Sequence, residues 1–366
     1  MKLDIVIVGL AITSSWGNGH ATTYRALAKA LYDRGHSVTF LEREAPWYQE
    51  NRDFPAPPYC RTINYSTLKD IPSRFGQLIA DADLVIVGSY VPDGAIIGEW
   101  VTSHARGVTA FYDIDTPVTL SGLQKGKIDY IVPSLIPRFD LYLSFTGGPA
   151  LDLIQNRYGS PRVRAFYCAI DPSMHRPIEA TTKWDLGYIG TYSDDRQVTL
   201  DKLLMEPARR MQNWNFVVAG SKYPREISWP DNVGRIEHLA PGSHAEFYCS
   251  QNYTLNITRS NMIEMGYSPS VRLFEAAACG VPIISDNWPG IDEFFMPGEE
   301  ILIADKPETV IDILRNISEE SRHGIAARAR KRVMQNHTAQ HRARELETYY
   351  HQVIDRGYVD QTEAVA

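Results

Sequence analysis

The chain has 366 residues, of which 44% are hydrophobic and 22% are charged, and its formal net charge is −7 at pH 7. This length suits two domains of comparable size, and the composition is that of a soluble globular protein. The negative balance gives no general attraction to nucleic acid or to anionic membranes, so we expect no nucleic-acid partner.

The sequence also bears on location and on metal chemistry. No segment approaches the ~20 continuous apolar residues that a membrane-spanning helix needs. The first residues lead into a strand and do not resemble a signal peptide, so we expect a cytoplasmic protein with no transmembrane segment. Cys60, Cys168, Cys249 and Cys279 are far apart and lack metal-binding spacing, which predicts reduced thiols.

The first half of the chain alternates short apolar segments with helical ones. Residues 3–10 are rich in β-branched side chains, which predicts a buried strand; a glycine-bearing loop over 13–20 and a helix over 21–34 follow. Further strands are predicted over 37–42, 83–88, 108–113 and 141–145. This alternation predicts a parallel sheet that helices cover on both faces.

The segment 171–183 interrupts this rhythm and is the predicted linker. After it, strands are predicted over 184–190, 216–220, 234–239 and 253–258, a helix over 197–210, and helical structure from Pro307 to about Ile354, with a frayed tail from Tyr358. The predicted domains are 1–172, 184–340, and a C-terminal helix and tail over 341–366. We therefore predict two Rossmann-like, doubly wound α/β domains with a ligand cleft between them.

Two segments of the first half place polar groups at predicted strand ends. In the loop Gly17-Asn18-Gly19-His20, glycines allow backbone amides to approach a ligand, although the spacing is not that of a dinucleotide fingerprint. Asp113 and Asp115 are two apart on extended chain and are predicted to point the same way, where they could bind sugar hydroxyls, act as a base or bind a metal. The alternative is that these aspartates only start a turn before Thr-Pro.

The most informative segment is 268–285. It predicts a helix with Ser268 as N-cap and Gly280 at its exit, followed by a buried strand. Arg272 and Glu275 are three apart and therefore share a face beside a helix N-terminus, which suits a nucleotide diphosphate: amides and Arg272 for phosphate, Glu275 for sugar hydroxyls. The alternative is an exposed ion pair worth only ~0.2–0.5 kcal/mol.

The run 274–282, Phe-Glu-Ala-Ala-Ala-Cys-Gly-Val-Pro, resembles the donor-site signature of GT-B glycosyltransferases of the group 1 kind. The order of Gly19-His20, residues 24–31 and residues 35–39 resembles the first βαβ unit of the same enzymes. The resemblance implies two Rossmann-like domains that face a cleft, with Glu275 on the nucleotide ribose. It also implies that His20 touches the acceptor or the transferred sugar; capping of the loop is the alternative role.

The resemblance extends to the first strand end of the second half. Many of these transferases carry Gly-Arg there and a lysine a few residues later, and both neutralise the diphosphate. Here Thr191 follows Gly190 in place of the arginine, and Arg196 falls where the lysine would be. We infer that Arg196 contacts phosphate, with Thr191 and Tyr192 contributing hydroxyls or amides and Lys222 a second cation. The alternative is that Arg196 pairs with one of the two preceding aspartates.

Within this group the chain is most similar to the CgeB-like branch, known from spore maturation and surface glycosylation. The residues that carry this likeness are 14–20, 40–43, 46–48 and 270–275, within an overall resemblance over 3–293. One departure from the group 1 pattern is Tyr267, which stands where a glutamate that contacts the transferred sugar is usual. At the strand end of Asp115 the related enzymes commonly have a histidine.

The resemblance thus implies a metal-independent, retaining glycosyltransferase, with a nucleotide diphosphate sugar as donor, an unidentified acceptor and no cofactor. The alternatives are a nucleotide-sugar epimerase of the same fold and an inactive sugar-nucleotide-binding protein. The candidate catalytic residues are Asp115, His20 and Arg196. The candidate substrate-binding residues are Gly17, Asn18, Gly19, Asp113, Gly190, Thr191, Tyr192, Lys222, Ser270, Val271, Arg272 and Glu275.

Overall fold

The computed structural model describes the backbone of residues 1–363 and the side chains of residues 1–355. The chain divides into two compact units. Unit 1 comprises Met1–Cys168 together with the C-terminal helix from Ala339, and unit 2 comprises Ala169–Thr338. The chain leaves unit 1 once and returns once, so unit 2 is one continuous segment. The ends of that segment lie side by side, because Ile170 forms a parallel bridge with Thr338.

Unit 1 is built on a seven-stranded sheet in the order β3-β2-β1-β4-β5-β6-β7, in which every strand pair is parallel. Its strands are β1 Asp4–Gly9, β2 Ser37–Arg43, β3 Arg61–Tyr65, β4 Leu84–Gly88, β5 Val108–Asp113, β6 Leu141–Ser144 and β7 Val163–Ala165. Its helices are α1 His20–Asp33, α2 Pro46–Gln49, α3 Asp70–Asp81, α4 Gly94–His104, α5 Thr116–Lys125 and α6 Pro149–Tyr158.

Unit 2 is built on a six-stranded parallel sheet in the order β10-β9-β8-β11-β12-β13. Its strands are β8 Trp184–Ile189, β9 Phe216–Ala219, β10 Val233–Ile236, β11 Gln251–Asn256, β12 Ile283–Ser285 and β13 Leu302–Ile303. Its helices are α7 Asp194–Leu200, α8 Glu206–Arg210, α9 His244–Cys249, α10 Ser260–Met265, α11 Val271–Ala278, α12 Ile291–Phe294, α13 Pro307–Asn316 and α14 Glu319–Asn336. The last helix of the chain, α15 Ala339–Glu363, belongs to unit 1.

The central strands form because their side chains are buried on both faces of the sheet. Ile5, Val6, Ile7 and Val8 of β1 are at most 2% exposed, and burying each side chain of this kind contributes about 1.5–3 kcal/mol. Close packing leaves no room for a Cβ on Gly88, where one would lie 2.0 Å from the hydroxyl of Tyr24. The predicted α/β fold with two parallel sheets is confirmed.

Some predicted boundaries differ from the structure. The predicted helical region 307–354 is three helices, because Ser318 starts a new one by accepting a hydrogen bond from the Ser321 amide at 3.2 Å. The last helix continues to Glu363, past the predicted start of the frayed tail at Tyr358, and residues 364–366 lie outside the described part. Three short strands were not predicted, since β3 is largely polar, β7 has three residues and β13 has two.

In the described part of the chain, no helix combines the length and the apolar character that crossing a membrane requires.

Glu42 anchors the loop that follows β1. Its carboxylate, at the end of β2, is fully buried and accepts hydrogen bonds from the backbone amides of Ile12 (2.7 Å) and Thr13 (3.0 Å) and from the Thr13 hydroxyl (2.6 Å). Loop amides that would otherwise be buried without partners are thereby satisfied. The start of the loop that leads to His20 is fixed by these bonds.

We predict that Glu42→Ala lowers the free energy of unfolding by about 2–4 kcal/mol, because it leaves two buried amides without an acceptor. Urea unfolding followed by circular dichroism measures this change. Glu50→Ala, at an exposed position in the same region, is the control and is expected to change the stability by less than about 0.5 kcal/mol. Equal stabilities of the two variants would show that Glu42 does not anchor the loop.

Candidate functional site

Each sheet has one place where the strand order reverses, and polar residues collect there. In unit 2 the order reverses between β8 and β11, and in unit 1 between β1 and β4. Connections leave these neighbouring strands toward opposite faces, which opens a crevice at the carboxyl ends of the strands where ligands of α/β proteins bind. Both crevices contain residues that the sequence singled out.

Arg272 lies at the reversal point of unit 2 and ties three elements together. Its Nε donates to the backbone oxygen of Ile189 at the end of β8 (2.5 Å), and its Nη1 donates to Oδ1 of Asn256 at the end of β11 (2.8 Å). The Ser270 hydroxyl donates to the same Asn256 oxygen at 2.9 Å, and the guanidinium lies 4.8 Å from the ring centre of Tyr188. Arg272 is only 8% exposed, so its charge is held in place and poorly hydrated.

The helix that carries Arg272 starts two residues later than predicted. Its N-cap is Ser270, with extended backbone (φ −75°, ψ 147°), and the first helical residue is Val271. The predicted cap at Ser268 is therefore wrong, because the Ser270 hydroxyl is held at the end of β11 and fixes where the helix begins. Because the helix begins at Val271, Arg272 is its second residue and lies in its first turn. The predicted exit at Gly280 is confirmed by its φ of +75°.

Gly190 follows β8 and packs directly against the Arg272 site. A Cβ on Gly190 would lie 2.4 Å from the Tyr188 hydroxyl and 3.0 Å from Nη2 of Arg272. The next turn is closed by Arg196, whose Nη2 donates to the Thr191 backbone oxygen (2.5 Å) and whose Nε donates to the Ser193 hydroxyl (2.9 Å). Through these two hydrogen bonds Arg196 fixes the conformation of the loop after β8.

The neighbouring aspartates contact other groups. Asp194 accepts a hydrogen bond from the Tyr192 hydroxyl at 2.6 Å, and Asp195 accepts one from the Ser260 amide at 3.0 Å. The hydrogen bonds of Arg196 go to Thr191 and Ser193, as described, although its charge helps lower the pKa of Asp195 against the opposing effect of burial.

The loop after β9 carries Lys222 at its tip. Lys222 is exposed and has a φ of +68°, a backbone conformation that costs a non-glycine residue energy. Behind it the Arg235 guanidinium lies 4.3 Å from the ring centres of both Tyr223 and Trp229 and donates to the Val218 backbone oxygen at 2.6 Å. Arg235, Tyr223 and Trp229 thus pack together and support the loop that carries Lys222.

Glu275 lies one turn after Arg272 and is 3% exposed. Its carboxylate accepts a hydrogen bond from the Tyr248 hydroxyl at 3.0 Å and lies 3.4 Å from ring nitrogens of both His175 and His244. Burial alone would raise the pKa of Glu275, but the two histidines hold it well below its ordinary value. Glu275 is therefore an ionised carboxylate in a buried cluster, and the alternative interpretation of an exposed ion pair with Arg272 is wrong.

Tyr267, where the sequence pattern led us to expect a glutamate, has a φ of +51°. Its amide donates to the Pro289 backbone oxygen at 2.7 Å, and its ring lies against Gly290, where a Cβ would be 2.4 Å from the ring. This hydrogen bond and the packing against Gly290 thus hold Tyr267 in place.

The crevice of unit 1 contains Asp115, Tyr90 and His20. Tyr90 follows β4 with a φ of +64°, its hydroxyl donates to Asp115 at 2.9 Å, and its ring lies 5.3 Å from that of His20. Burial lowers the pKa of His20, against an opposing effect of Asp115, so the imidazole is neutral near pH 7. A non-glycine residue in the left-handed region beside a carboxylate and a neutral imidazole is typical of a functional site.

Asp113 lies in a different environment from Asp115. It is fully buried at the end of β5, where Oδ2 accepts a hydrogen bond from Tyr142 (2.6 Å) and Oδ1 accepts one from Thr119 (2.7 Å). Burial raises its pKa to about 6, although these hydrogen bonds oppose the shift. Oδ1 also accepts from the Asp115 amide at 3.3 Å. Asp113 therefore orients the turn that carries Asp115 and has no surface of its own to offer a ligand.

The loop before α1 has the exposed glycines that its sequence suggests. Gly17 has a φ of +60°, and both Gly17 and Gly19 have open space where a Cβ would be. The Asn18 side chain accepts the hydrogen bond of the His20 amide at 3.0 Å. Asn18 thus satisfies the first helical amide, and the His20 ring is not needed for that purpose.

Comparison with known protein families adds independent information. Residues 196–348 match a family model described as "Glycosyl transferase-like". The prediction that the chain is a glycosyltransferase enzyme is confirmed, and the match includes Arg196, Arg272 and Glu275. No curated protein sequence matches the chain.

Solved structures share the whole architecture. Sucrose-phosphate synthase from Thermosynechococcus elongatus aligns over 96% of this chain and 100% of its own, with a TM-score of 0.70 and 13% identity. HepE from Anabaena in complex with UDP-glucose aligns over 98% and 100%, with a TM-score of 0.65 and 13% identity. An alpha-glucosyltransferase in complex with UDP-glucose and DNA aligns over 96% and 100%, with a TM-score of 0.69 and 13% identity. These likenesses establish the predicted GT-B fold.

Several residues at these sites were not predicted from the sequence. In unit 2 they are His175, His244, Tyr248, Tyr223 and Arg235. In unit 1 they are Tyr90 and Tyr130, whose rings lie 4.8 Å apart. The only local signal is the position of Tyr90 just after the apolar strand β4, where α/β proteins place functional groups.

We predict that Gly190→Ala lowers the free energy of unfolding by about 1–3 kcal/mol, because the added methyl group clashes with Tyr188 and Arg272. Urea unfolding measures the change. Gly242→Ala is the matched control, since nothing lies within 4 Å of its Cβ position. If both variants unfold like the wild type, a side chain at position 190 does not clash with Tyr188 and Arg272.

We predict that Asp113 makes stability depend on pH. Its raised pKa favours the folded state fully below the unfolded value near pH 3.8, and this contribution is lost as the pH rises through about 6. Asp113→Asn should flatten the fall in unfolding free energy over this range, by on the order of 3 kcal/mol. Thermal and urea unfolding across the range measure this. Asp152→Asn, on the exposed face of α6, should keep the wild-type slope, and an equal slope in Asp113→Asn would contradict the assignment.

Proposed function

We propose that this protein transfers a sugar from a nucleoside diphosphate sugar to an acceptor hydroxyl, with the donor bound by unit 2. The observation that carries the proposal is the site of Arg272. There a buried guanidinium, the N-terminus of α11 and the loop held by Arg196 meet at the reversal point of the sheet. Helix N-termini and arginines both favour a diphosphate at such a place. The family match over the same residues supports this assignment.

The chemistry follows from where charge develops. The bond between the anomeric carbon and the β-phosphate oxygen breaks, the acceptor oxygen bonds to that carbon, and the acceptor proton is lost to a base. Negative charge grows on the departing diphosphate. Arg272, Arg196 and the amides of Ser270 and Val271 stabilise it, with Lys222 as a further cation, so the leaving group needs no metal. Fixed, poorly hydrated charges act strongly here because they need not reorganise.

Unit 1 supplies the groups that contact the acceptor or the transferred sugar. The carboxylate of Asp115 accepts a hydrogen bond from Tyr90 and is oriented by Asp113, so it can accept a further bond from an acceptor hydroxyl. His20 is neutral near pH 7, because burial lowers its pKa, and can accept or donate a proton. The exposed backbone at Gly17 and Gly19, with open space where a Cβ would be, lets the acceptor approach closely.

The identity of the donor, the stereochemistry of transfer, the branch of the family and the class of acceptor are also proposals. The structures in complex with UDP-glucose make that compound the first donor to test on this chain. The likeness to group 1 transferases supports retention of anomeric configuration, and the segments at 14–20 and 270–275 support membership of the CgeB-like branch. The net charge of −7 supports an acceptor other than nucleic acid.

The test is to incubate the protein with UDP, GDP and dTDP sugars, with and without a panel of acceptors, and to follow free nucleotide, sugar isomers and glycosylated product. We expect acceptor-dependent release of nucleotide diphosphate. Formation of an isomer without nucleotide release would identify an epimerase, and tight binding without turnover under every acceptor would identify a binding protein. Either result would contradict transfer.

We predict that Arg196→Ala lowers kcat by about 100-fold, because it removes a charge that stabilises the leaving diphosphate. Steady-state kinetics with the best donor measure the effect. Arg315→Ala, which removes an exposed arginine of α13, is the control and should leave kcat unchanged. Equal rates for the two variants would remove Arg196 from the reaction.

A further inference from the structure

Two exposed tryptophans lie at the edge of the unit 1 sheet where its strands end. Trp16 is 38% exposed in the loop after β1, and Trp47 is 55% exposed in α2, which follows β2. The chain has seven tryptophans, and the other five, all in the described part, are buried or half-buried. Strands β1 and β2 are parallel neighbours, so both segments leave the sheet at the same edge. We call Trp16 and Trp47 the tryptophan pair.

Hydrogen bonds join the two segments that carry the tryptophan pair. The Ser14 hydroxyl accepts a hydrogen bond from the Trp16 amide (3.3 Å) and donates one to the Asn51 backbone oxygen (2.7 Å). The Asn51 side chain donates to the Trp47 backbone oxygen at 2.9 Å. Single exposed apolar side chains are ordinary on a protein surface, but two large ones on segments that are bonded together indicate a binding surface.

The charged groups at this edge of the sheet are paired with one another. The ion pairs are Arg25–Asp53, Arg52–Glu44 and Arg43–Asp93. None of these three arginines is thus left without a carboxylate partner, and the exposed carboxylate of Glu50 lies in the same region. An anionic ligand, such as a phosphorylated acceptor, would find no unpaired arginine among them. The surface therefore suits an uncharged ligand with an apolar face.

Polar groups continue from the tryptophan pair along the same edge of the sheet. The strand order β2-β1-β4-β5 places at successive strand ends Trp47, then Trp16 and His20, then Tyr90, then Asp115. Neighbouring strands are about 4.8 Å apart, so these four strand ends span about 14 Å. The row is aromatic and apolar at one end and offers hydrogen-bonding groups at the other. Carbohydrates have both kinds of surface, since a sugar ring has an apolar C–H face and hydroxyl groups around its rim.

We propose that the acceptor is an uncharged oligosaccharide of at least two sugars. Its reacting hydroxyl lies at Asp115, and its further sugar rings stack on the tryptophan pair through their C–H faces. One hexose ring is shorter than the row, so a monosaccharide does not reach both ends. This inference rests on the acceptor role proposed above for unit 1. It adds the chemical class of the acceptor, and it makes Trp16 and Trp47 residues that determine specificity.

The experiment measures binding of the full chain to an array of neutral mono-, di-, tri- and tetrasaccharides of glucose, galactose, mannose and N-acetylglucosamine, with calorimetric affinities for those that bind. We expect the wild type to bind oligosaccharides and to bind the matching monosaccharides at least about 10-fold less tightly. Trp16→Ala and Trp47→Ala should each weaken binding by about 10- to 100-fold, because burial of a large aromatic side chain is worth this much. Trp16→Phe and Trp47→Phe keep an aromatic face and should retain part of the affinity.

The matched control is Tyr32→Ala. Tyr32 is 54% exposed and lies in the last turn of α1, toward the opposite edge of the sheet, so its removal should leave glycan binding unchanged. All these variants should unfold in urea like the wild type, because exposed side chains contribute little to stability. Their affinities for UDP and GDP should also equal those of the wild type, since the tryptophan pair belongs to unit 1 and the proposed donor site to unit 2.

The inference and the transferase proposal fail in different ways. Binding of no oligosaccharide by the wild type, or affinities in Trp16→Ala and Trp47→Ala equal to that of Tyr32→Ala, would overturn the inference, while binding of UDP or GDP would leave the donor role of unit 2 intact. If the wild type binds neither UDP nor GDP, the transferase proposal fails, and a bound glycan is then not an acceptor.

Two other occupants of the tryptophan pair have readouts of their own. Binding to vesicles of phosphatidylcholine and phosphatidylglycerol that is lost in Trp16→Ala and Trp47→Ala would assign the pair to a membrane surface. A dimer of the wild type, seen by light scattering, that dissociates in the same variants would assign it to a contact between copies of the chain. Either result would overturn the inference.

Discussion

The buried guanidinium of Arg272 is the interaction on which the site of unit 2 depends. A cation in a poorly hydrated place is stable only when its N–H groups are satisfied, and here the end of β8 and Asn256 at the end of β11 supply the acceptors. These strands are hydrogen-bonded neighbours in the sheet, so the guanidinium bridges the carboxyl ends of two adjacent strands. Gly190 packs against this group, since a Cβ on Gly190 would lie 3.0 Å from Nη2 of Arg272.

Buried carboxylates fix other parts of the chain, as the buried guanidinium of Arg272 does at the end of β8. Glu42 holds the loop after β1, Asp113 orients the turn that carries Asp115, and Glu275 lies between two histidines. All three are buried, and all three accept hydrogen bonds. The protein thus fixes its candidate functional loops with ionisable groups that are themselves buried. Such an arrangement provides rigid loops at the cost of a dependence on pH.

The spacing of apolar residues predicted the fold because it can be determined from each short segment of the sequence alone. The apolar runs of β1, β4 and β5 and the glycine at 280 are sufficient to predict a parallel α/β architecture, and the structure has it. Local patterns failed where a distant partner decides. The sequence predicts Ser268 as the N-cap, but the hydrogen bond from Ser270 to Asn256 fixes the start of the helix at Ser270. Nothing near Glu275 in the sequence indicates His175 or His244, since the fold alone brings these segments together.

The bridge between Ile170 and Thr338 has a consequence for how this chain can be altered. Unit 2 is an insertion whose two ends leave and re-enter at neighbouring points, so it is geometrically a cassette. A homologous domain with the same spacing between its ends can replace it without cutting the sheet or the final helix of unit 1. Under the proposed assignment of the donor to unit 2, recombination at these two junctions exchanges the donor preference and leaves unit 1 intact.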